Sequence, residues 1–292
     1  MLFEYSIVGG ILLGLFYALM AMGLNLVFGV QKIINLAHGD MIMLGGFATW
    51  ELYYGLHINP IIAVIIVIPF SIALGYILYY ILIPRLKTAK DFETLSLVLF
   101  FGVSEVLEAL AALGFGNNER SMPSGSLPAA PIQFLGQSYQ SDWFIAAAVA
   151  IPILLIYFLY LYRSRLGRQT RAIMADADEA ASVGINATRV SAITFGVGVA
   201  LAAVSGVMAV YIFSGVQASE GVSLTIIAFA IIVFGSLGNP IGTVLAGLLF
   251  GIVYQLAQVY VPSWSDLVPY VLVLGTMLIR PQGLLGRRTR VV

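Results

Sequence analysis

The chain has 292 residues, a mean hydropathy of +0.99, 60% apolar and 10% charged side chains, and a formal net charge of zero. Soluble domains carry charge on roughly a quarter of their residues, so this composition excludes one, and the balanced charge gives no case for nucleic acid. The absence of cysteine also excludes disulfides, thiolate metal sites and thiol catalysis.

Long apolar runs recur along the chain, each near the ~20 residues a helix needs to cross a bilayer. They predict an all-α polytopic membrane protein of about eight or nine transmembrane helices. The spans fall at 5–29, 33–54, 60–83, 94–115, 143–162, 190–213, 223–237, 241–260 and 267–280. The runs are continuous, which argues against the short alternating segments of a β-barrel. The first run opens with Glu4 and lacks a basic leader and a cleavage site, so it reads as a span and not a removable signal.

Two segments are unusual. Residues 33–54 begin with Asn35, His38, Gly39 and Asp40, and 223–237 is short. Either is a full crossing or a broken, re-entrant helix, which is tolerated only where protein or water covers the backbone. Further along, Glu105 and Glu108 form an i, i+3 pair inside 94–115. Ionisable groups at that depth are costly and functional by default. These two would line a wet path, carry protons or face another subunit. Loop 116–142 is rich in turn formers and predicts an irregular cap, as a connector or as a docking surface. Small residues four apart, such as Gly10 and Gly14 or Gly247 and Gly251, predict close helix packing. The tripeptide VFG occurs at 27–29 and again at 233–235, a faint hint of internal repetition.

When loops are assigned alternately to two sides, thirteen of the fourteen Lys and Arg residues share one side, with Arg120 the exception. The positive-inside rule makes that side cytoplasmic. Loops 84–93 and 163–189 and the tail 281–292 are then inside, and with nine crossings the N-terminus is outside.

Segment 163–189 holds a concentration of charge. A short two-faced helix is expected over about 172–183, with Ile173, Ala177, Ala180, Ala181 and Gly184 on one side and Ala175, Asp178, Glu179 and Ser182 on the other. Gly184 is a natural terminator. A solvated connector explains Arg163, Arg165 and Arg168. The small-residue helix suits a lever gripped by a soluble partner. The cluster Asn35, His38 and Asp40 reads as structural capping or gating, or as substrate contact. Metal binding fits poorly, because the chain has two histidines, His38 and His57, expected on opposite sides. No nucleophile set stands out, which leaves little for an intramembrane enzyme. An ion-coupled carrier using Glu105 and Glu108 is a competing class.

Several stretches together carry a resemblance. EAASVG at 179–184 is similar to the EAA-plus-glycine signature of ATP-binding-cassette (ABC) importer permeases, with a shorter spacing to the glycine. LNLVFGVQKIINLAHGDMIMLGGF at 24–47, GRQTRAIMADADEAASVGINATRVSAITFGVGVALAAVSGVM at 167–208, FGSLGNPIGTVLAGLLFGI at 234–252 and RPQGLLGR at 280–287 resemble the branched-chain amino-acid (LIV-type) permeases, and the H-type subunit more than the longer M-type. The chain departs from the family at Phe234-Gly235, where two glycines are common, and at Glu105 and Glu108, where relatives tend to have apolar or amide residues.

The resemblance covers nearly the whole chain and implies one transmembrane permease domain, 1–292, with a cytoplasmic coupling loop at 164–189. It implies a heteromer in the cell membrane: two ATPase subunits, a second permease subunit and an extracytoplasmic substrate-binding protein. Ala175, Asp178, Glu179, Ala180, Ala181, Ser182 and Gly184 would contact the ATPases, and Asn35, His38, Asp40, Glu105 and Glu108 would line or gate the path. The sequence has no G-x-x-x-x-G-K-[ST] phosphate loop. No cofactor is therefore expected in this chain; ATP and Mg would sit on the partner ATPases. Urea, amides or another small organic solute are alternative substrates.

Overall fold

Two helices buried on almost every side organise the fold. The computed structural model describes residues 2–86, 90–123, 126–127 and 130–286. In chain order the elements are α1 (Leu2–Gln31), α2 (His38–Leu56), α3 (Pro60–Leu86), α4 (Phe92–Phe115), β1 (Ile132–Phe134), β2 (Gln137–Tyr139), α5 (Ser141–Arg163), α6 (Arg165–Ala175), α7 (Ala177–Ser182), α8 (Ala187–Ile212), α9 (Gly221–Gly235), α10 (Pro240–Tyr260), a 3-10 turn (Pro262–Leu267) and α11 (Val268–Ile279). Each of the nine expected spans is met by one of these helices. Among the described residues, seven helical stretches are long and apolar enough to cross a membrane; α2 is not one of them and α9 is shorter. The protein is a multi-pass helical membrane protein.

The central helices are α1 and α8, which are apolar all round and therefore need partners on all sides. They are antiparallel to the neighbours they touch most closely, and small residues set the approach. A Cβ at Gly14 of α1 would lie 2.7 Å from Leu248 Cα of α10, and one at Gly247 would lie 2.6 Å from Ala18 Cα. On the other side, a Cβ at Gly75 of α3 would lie 2.8 Å from Gly196 Cα of α8. With no hydrophobic drive between helices in lipid, such backbone contact supplies the packing energy. The outer helices α3, α4, α5 and α11 expose Ile65, Leu113, Ile156 and Leu278 as a lipid-facing belt.

α1 ends at the same end of the bundle as α3, α5 and α11, beside the starts of α4, α8 and α10. This end carries the described basic residues other than Arg120 and is called the basic end below. Lys87 of loop 84–93 and Arg287, Arg288 and Arg290 of the tail lie outside the described residues. Arg120 is at the opposite end for a structural reason. Its guanidinium donates to the Phe115 carbonyl at the end of α4 (Nη2 at 2.6 Å), stacks 4.9 Å from the Trp50 ring centre, and its backbone bridges to Val216.

The chain enters the bundle interior twice without helix, at 32–37 and at 213–220, and a helix then starts inside. α1, the first entry, α2 and α3 are matched in reverse direction by α8, the second entry, α9 and α10, an inverted arrangement of the kind found in transporters. The VFG tripeptides end α1 and α9, which are not equivalent in this arrangement, so they are not its trace.

Two local expectations change. The helix over 172–183 is broken in two at Asp176, whose extended backbone (φ −156°, ψ 120°) cannot continue a helix. The cap 116–142 contains a two-residue hairpin, because Leu135 and Gly136 both adopt positive φ (49° and 73°) as a type I′ turn requires. Tyr139 of the hairpin is buried and stacks 5.0 Å from Tyr5.

Close packing at α1 and open space on α4 predict opposite outcomes for similar substitutions. Gly14→Leu should destabilise the purified protein by at least ~1–3 kcal/mol, whereas Gly102→Leu, where nothing lies within 4 Å, should stay within about 0.5 kcal/mol. Thermal unfolding in detergent, followed by tryptophan fluorescence, checks both.

Candidate functional site

The interior junction is built from two helix starts. α2 begins not at the end of α1 but beside Met20, whose carbonyl accepts a 2.9 Å hydrogen bond from His38 Nε2. A carbonyl only accepts, so this nitrogen carries the proton. Met20 lies about 16 Å along the axis from the end of α1, so α2 starts well inside the apolar layer. The turn before it is closed by Asn35 Oδ1, which accepts from the Ala37 N–H at 3.1 Å. The Gly39 N–H donates to Thr225 Oγ1 of α9 at 2.7 Å, and that hydroxyl lies 2.8 Å from the Leu36 carbonyl, its acceptor. Any side chain at position 39 would overlap the Gly221 carbonyl and come 2.6 Å from the Thr225 nitrogen. Glycine is required here for close approach, and it lets the starts of α2 and α9 touch.

Carboxylates gather at this contact. Asp40, in the first turn of α2, is fully buried, and neither of its side-chain oxygens accepts a hydrogen bond. Ser104 and Glu108, one turn apart on α4, reach the same place: Ser104 lies alongside the Asp40 carboxyl and Glu108 reaches the Val222 N–H in the first turn of α9. Ser104 Oγ and Glu108 Oε1 also lack hydrogen-bond partners. A methyl group on Gly221 would overlap Asp40 Oδ1 and lie 3.1 Å from Glu108 Oε1, so both carboxylates look onto one glycine. The helix dipole at the two starts favours negative charge there. Below the junction, toward the basic end, a cavity of about 760 Å³ opens between α1, α4, α9 and α11, with Ser96, Leu97, Phe229 and Val233 in its wall.

The structure thus brings together Asn35, His38, Asp40 and Glu108 and leaves Glu105 exposed, near enough for its charge to act on Asp40 and Glu108. Asn35 and His38 hold the backbone before and at the start of α2, although neither side chain caps the helix, whose N-cap is Ala37. Ser104, Gly221 and Thr225 escaped sequence reasoning. Ser104 had a usable signal, four residues before Glu108 on one helical stripe; Gly221 and Thr225 join the group only through tertiary contact. Among the described residues, no group of three or more His, Asp or Glu residues is placed to hold a metal ion.

The second candidate region is the charged segment at the basic end. Ser164 Oγ caps α6 by accepting from the Gly167 N–H at 2.8 Å, and Tyr160 and Thr170 hydroxyls meet at 2.9 Å, so α6 folds back along α5. Asp176 Oδ1 caps α7, accepting from the Asp178 and Glu179 N–H groups at 2.9 Å each. Gly184 ends it with φ +85°, and the Ile185 N–H donates to the Ala180 carbonyl at 3.1 Å. Ile173 and Ala180 are buried, but Ala175, Ala177, Asp178, Glu179, Ala181, Ser182 and Gly184 are exposed, so the broken helix turns more of itself outward than a single amphipathic helix would. Lys32 Nζ donates to the Met174 carbonyl at 3.3 Å, tying the end of α6 to the end of α1. A groove of about 590 Å³ lies beside them, lined by Lys32, Phe92, Ala175, Asp178 and Ser191 among others.

Interrupted helices meeting inside a multi-pass bundle, with unpaired carboxylates at the junction, define a membrane transport protein in architecture. Comparison with known proteins gives the family. Residues 6–277 match the model of the branched-chain amino acid transport system / permease component family, and the chain belongs to it. It is 30% identical to the high-affinity branched-chain amino acid transport system permease protein BraD of Pseudomonas aeruginosa over 97% of this chain and 95% of that one. It is 27% identical to LivH of Escherichia coli strain K12, covering 98% and 96% of the two chains. It is similar also to LivM of Salmonella typhimurium (26%), but over only 67% of that longer chain, in keeping with the H-type likeness. No solved structure matches.

The cap of α7 makes a local prediction. Asp176→Ala should cost the helix about 0.5–2 kcal/mol and Asp176→Asn much less, read as faster amide hydrogen exchange over 178–182 in the alanine variant alone.

Proposed function

We propose that this chain is the membrane-spanning permease subunit of an ABC importer for branched-chain or related amino acids, 1–292 forming one transmembrane domain. The observation that carries this reading is the exposed, doubly capped α6–α7 pair, which stands on the basic end and carries the EAA residues of the coupling signature. The basic end faces the cytoplasm, as its Lys and Arg content requires, and the protein resides in the cell membrane. Two ATPase subunits bind ATP and Mg and grip the pair through Ala175, Asp178, Glu179, Ala181, Ser182 and Gly184, while Ala180 anchors α7 to the body. A second permease subunit completes the path, and an extracytoplasmic binding protein delivers the amino acid. Relatives named for branched-chain amino acid transport support the substrate class.

The mechanism is alternating access. ATP-driven closure of the ATPases displaces α7, and the displacement reaches α8 through the short connection 183–186 and α1 through Lys32. Binding of the partner must differ between the outward- and inward-open forms for this to shift the equilibrium. The junction of α2 and α9 is the gate region, where Asn35 and His38 hold the backbone and Asp40 and Glu108 face the path. This chain catalyses no reaction itself.

Reconstitution tests the reading. Proteoliposomes with this chain, its partner permease, both ATPases and the binding protein should take up labelled leucine only with ATP. The double variant Asp178→Lys/Glu179→Lys, on an exposed surface, should assemble its own fold yet lose uptake by about tenfold or more through like-charge or lost-pair effects at the docking site. Uptake by this chain alone, driven by a proton gradient, would overturn the importer reading.

A further inference from the structure

Asp40, Ser104 and Glu108 form a group rich in acceptors, whose one side-chain donor is the Ser104 hydroxyl beside the Asp40 carboxyl. Asp40 and Ser104 are 0% and 1% exposed, and four oxygens of the group, Asp40 Oδ1 and Oδ2, Ser104 Oγ and Glu108 Oε1, have no hydrogen-bond partner. Buried acceptors left unpaired carry a large desolvation cost. Asp40 is wholly enclosed and Glu108 half-buried beside it across Gly221, so the two carboxylates repel and a cation between them would be favoured. The cations of the described chain lie at the two ends of the bundle, so the chain does not supply one.

The geometry points to a subsite for the primary ammonium group of the transported solute, at the junction of α2, α4 and α9. An ammonium group has three N–H donors and no acceptor, the complement of this group. A bound metal ion fits less well: hard cations ask for about six or more oxygen ligands, and two carboxylates and a hydroxyl do not reach that. The approach also fits an amino acid with an apolar side chain. Along α4, Ser96, Ser104 and Glu108 are set four or eight residues apart on one face, with Phe100 between, and Ser96 borders the cavity below while the other two border the junction. Phe229 and Thr225, one turn apart on α9, connect the same two places. The cavity of about 760 Å³, mostly apolar with Lys32 at its wall, thus lies on the same faces of α4 and α9 as the carboxylates, with the buried Phe100 between. The ammonium group would bind Asp40 and Glu108. The subsite rests on the importer reading above and assigns the residues that hold the amino group.

The test uses the full complex. ATP-driven leucine uptake is compared for the parent chain, Asp40→Asn, Glu108→Gln and Asp40→Glu, with assembly checked by co-elution with the ATPases. Loss of about tenfold or more in Asp40→Asn and Glu108→Gln, with partial recovery in Asp40→Glu, is expected. Parental uptake in assembled Asp40→Asn and Glu108→Gln overturns the subsite and leaves the importer standing, whereas no ATP-driven leucine uptake by the parent complex overturns the importer reading and the subsite with it. A second measurement needs no variant. Dicyclohexylcarbodiimide, an apolar reagent for protonated carboxyl groups, reports their accessibility. Leucine and isoamylamine should each protect Asp40 and Glu108 from labelling, read by peptide mass spectrometry, and isovalerate should not. Protection by isovalerate, or none by either amine, overturns the assignment.

Discussion

Backbone polar groups in an apolar layer must find partners within the protein, and every unusual feature of this chain traces to the two places where it breaks that layer without helix. At 32–37 the partners come from side chains: Asn35 closes the turn, His38 reaches back to Met20, and Thr225 bridges Gly39 and Leu36. At 213–220 the backbone of Val216 pairs with that of Arg120, brought in by the opposite-end loop. These contacts fix two helix starts against each other in the interior. Once fixed, the starts present positive dipole ends where carboxylates are tolerated, which is why Asp40 and Glu108 occur at this depth.

Packing distributes rigidity around that junction. Close glycine contacts make α1, α8 and α10 a tight unit, and α8 is buried along most of its length whereas α4 is mostly exposed. The helix that contributes Ser104 and Glu108 is therefore the least enclosed by its own chain. Its outward side carries Glu105, a carboxylate that lipid would not accept at low cost. In the proposed assembly this side meets the second permease subunit. A loosely held α4 next to a tightly packed unit also gives alternating access a moving part and a frame, without requiring the central helices to repack.

The basic end is joined to the same frame. α6 is fastened to α5 through its Ser164 cap and to α1 through Lys32, and α7 leads directly into α8. In the proposed importer, force applied to α7 arrives at the buried helices before it reaches the lipid-facing ones. The break at Asp176 matters here. It turns Ala177, Ala181 and Gly184 outward along with Asp178, Glu179 and Ser182, where a continuous helix would have laid the first three against the bundle.

The sequence by itself determined the class, the succession of apolar helices, the basic end and the family, because these follow from long apolar runs, from charge sidedness and from residues quoted in order along one chain. It also singled out Asn35, His38, Asp40 and Glu108, since polar groups stand out in an apolar background. It misjudged the helix over 172–183, because hydrophobic periodicity does not register a single residue that caps the next helix by bending the backbone. Only the tertiary structure decided which polar residues meet. Glu105 and Glu108 look alike in sequence, yet one faces outward and the other inward, a matter of α4's rotation set by its packing. Gly221 and Thr225 lie more than a hundred residues from Asp40 and Glu108, and close backbone approach, which carries no local signature, puts them in one site.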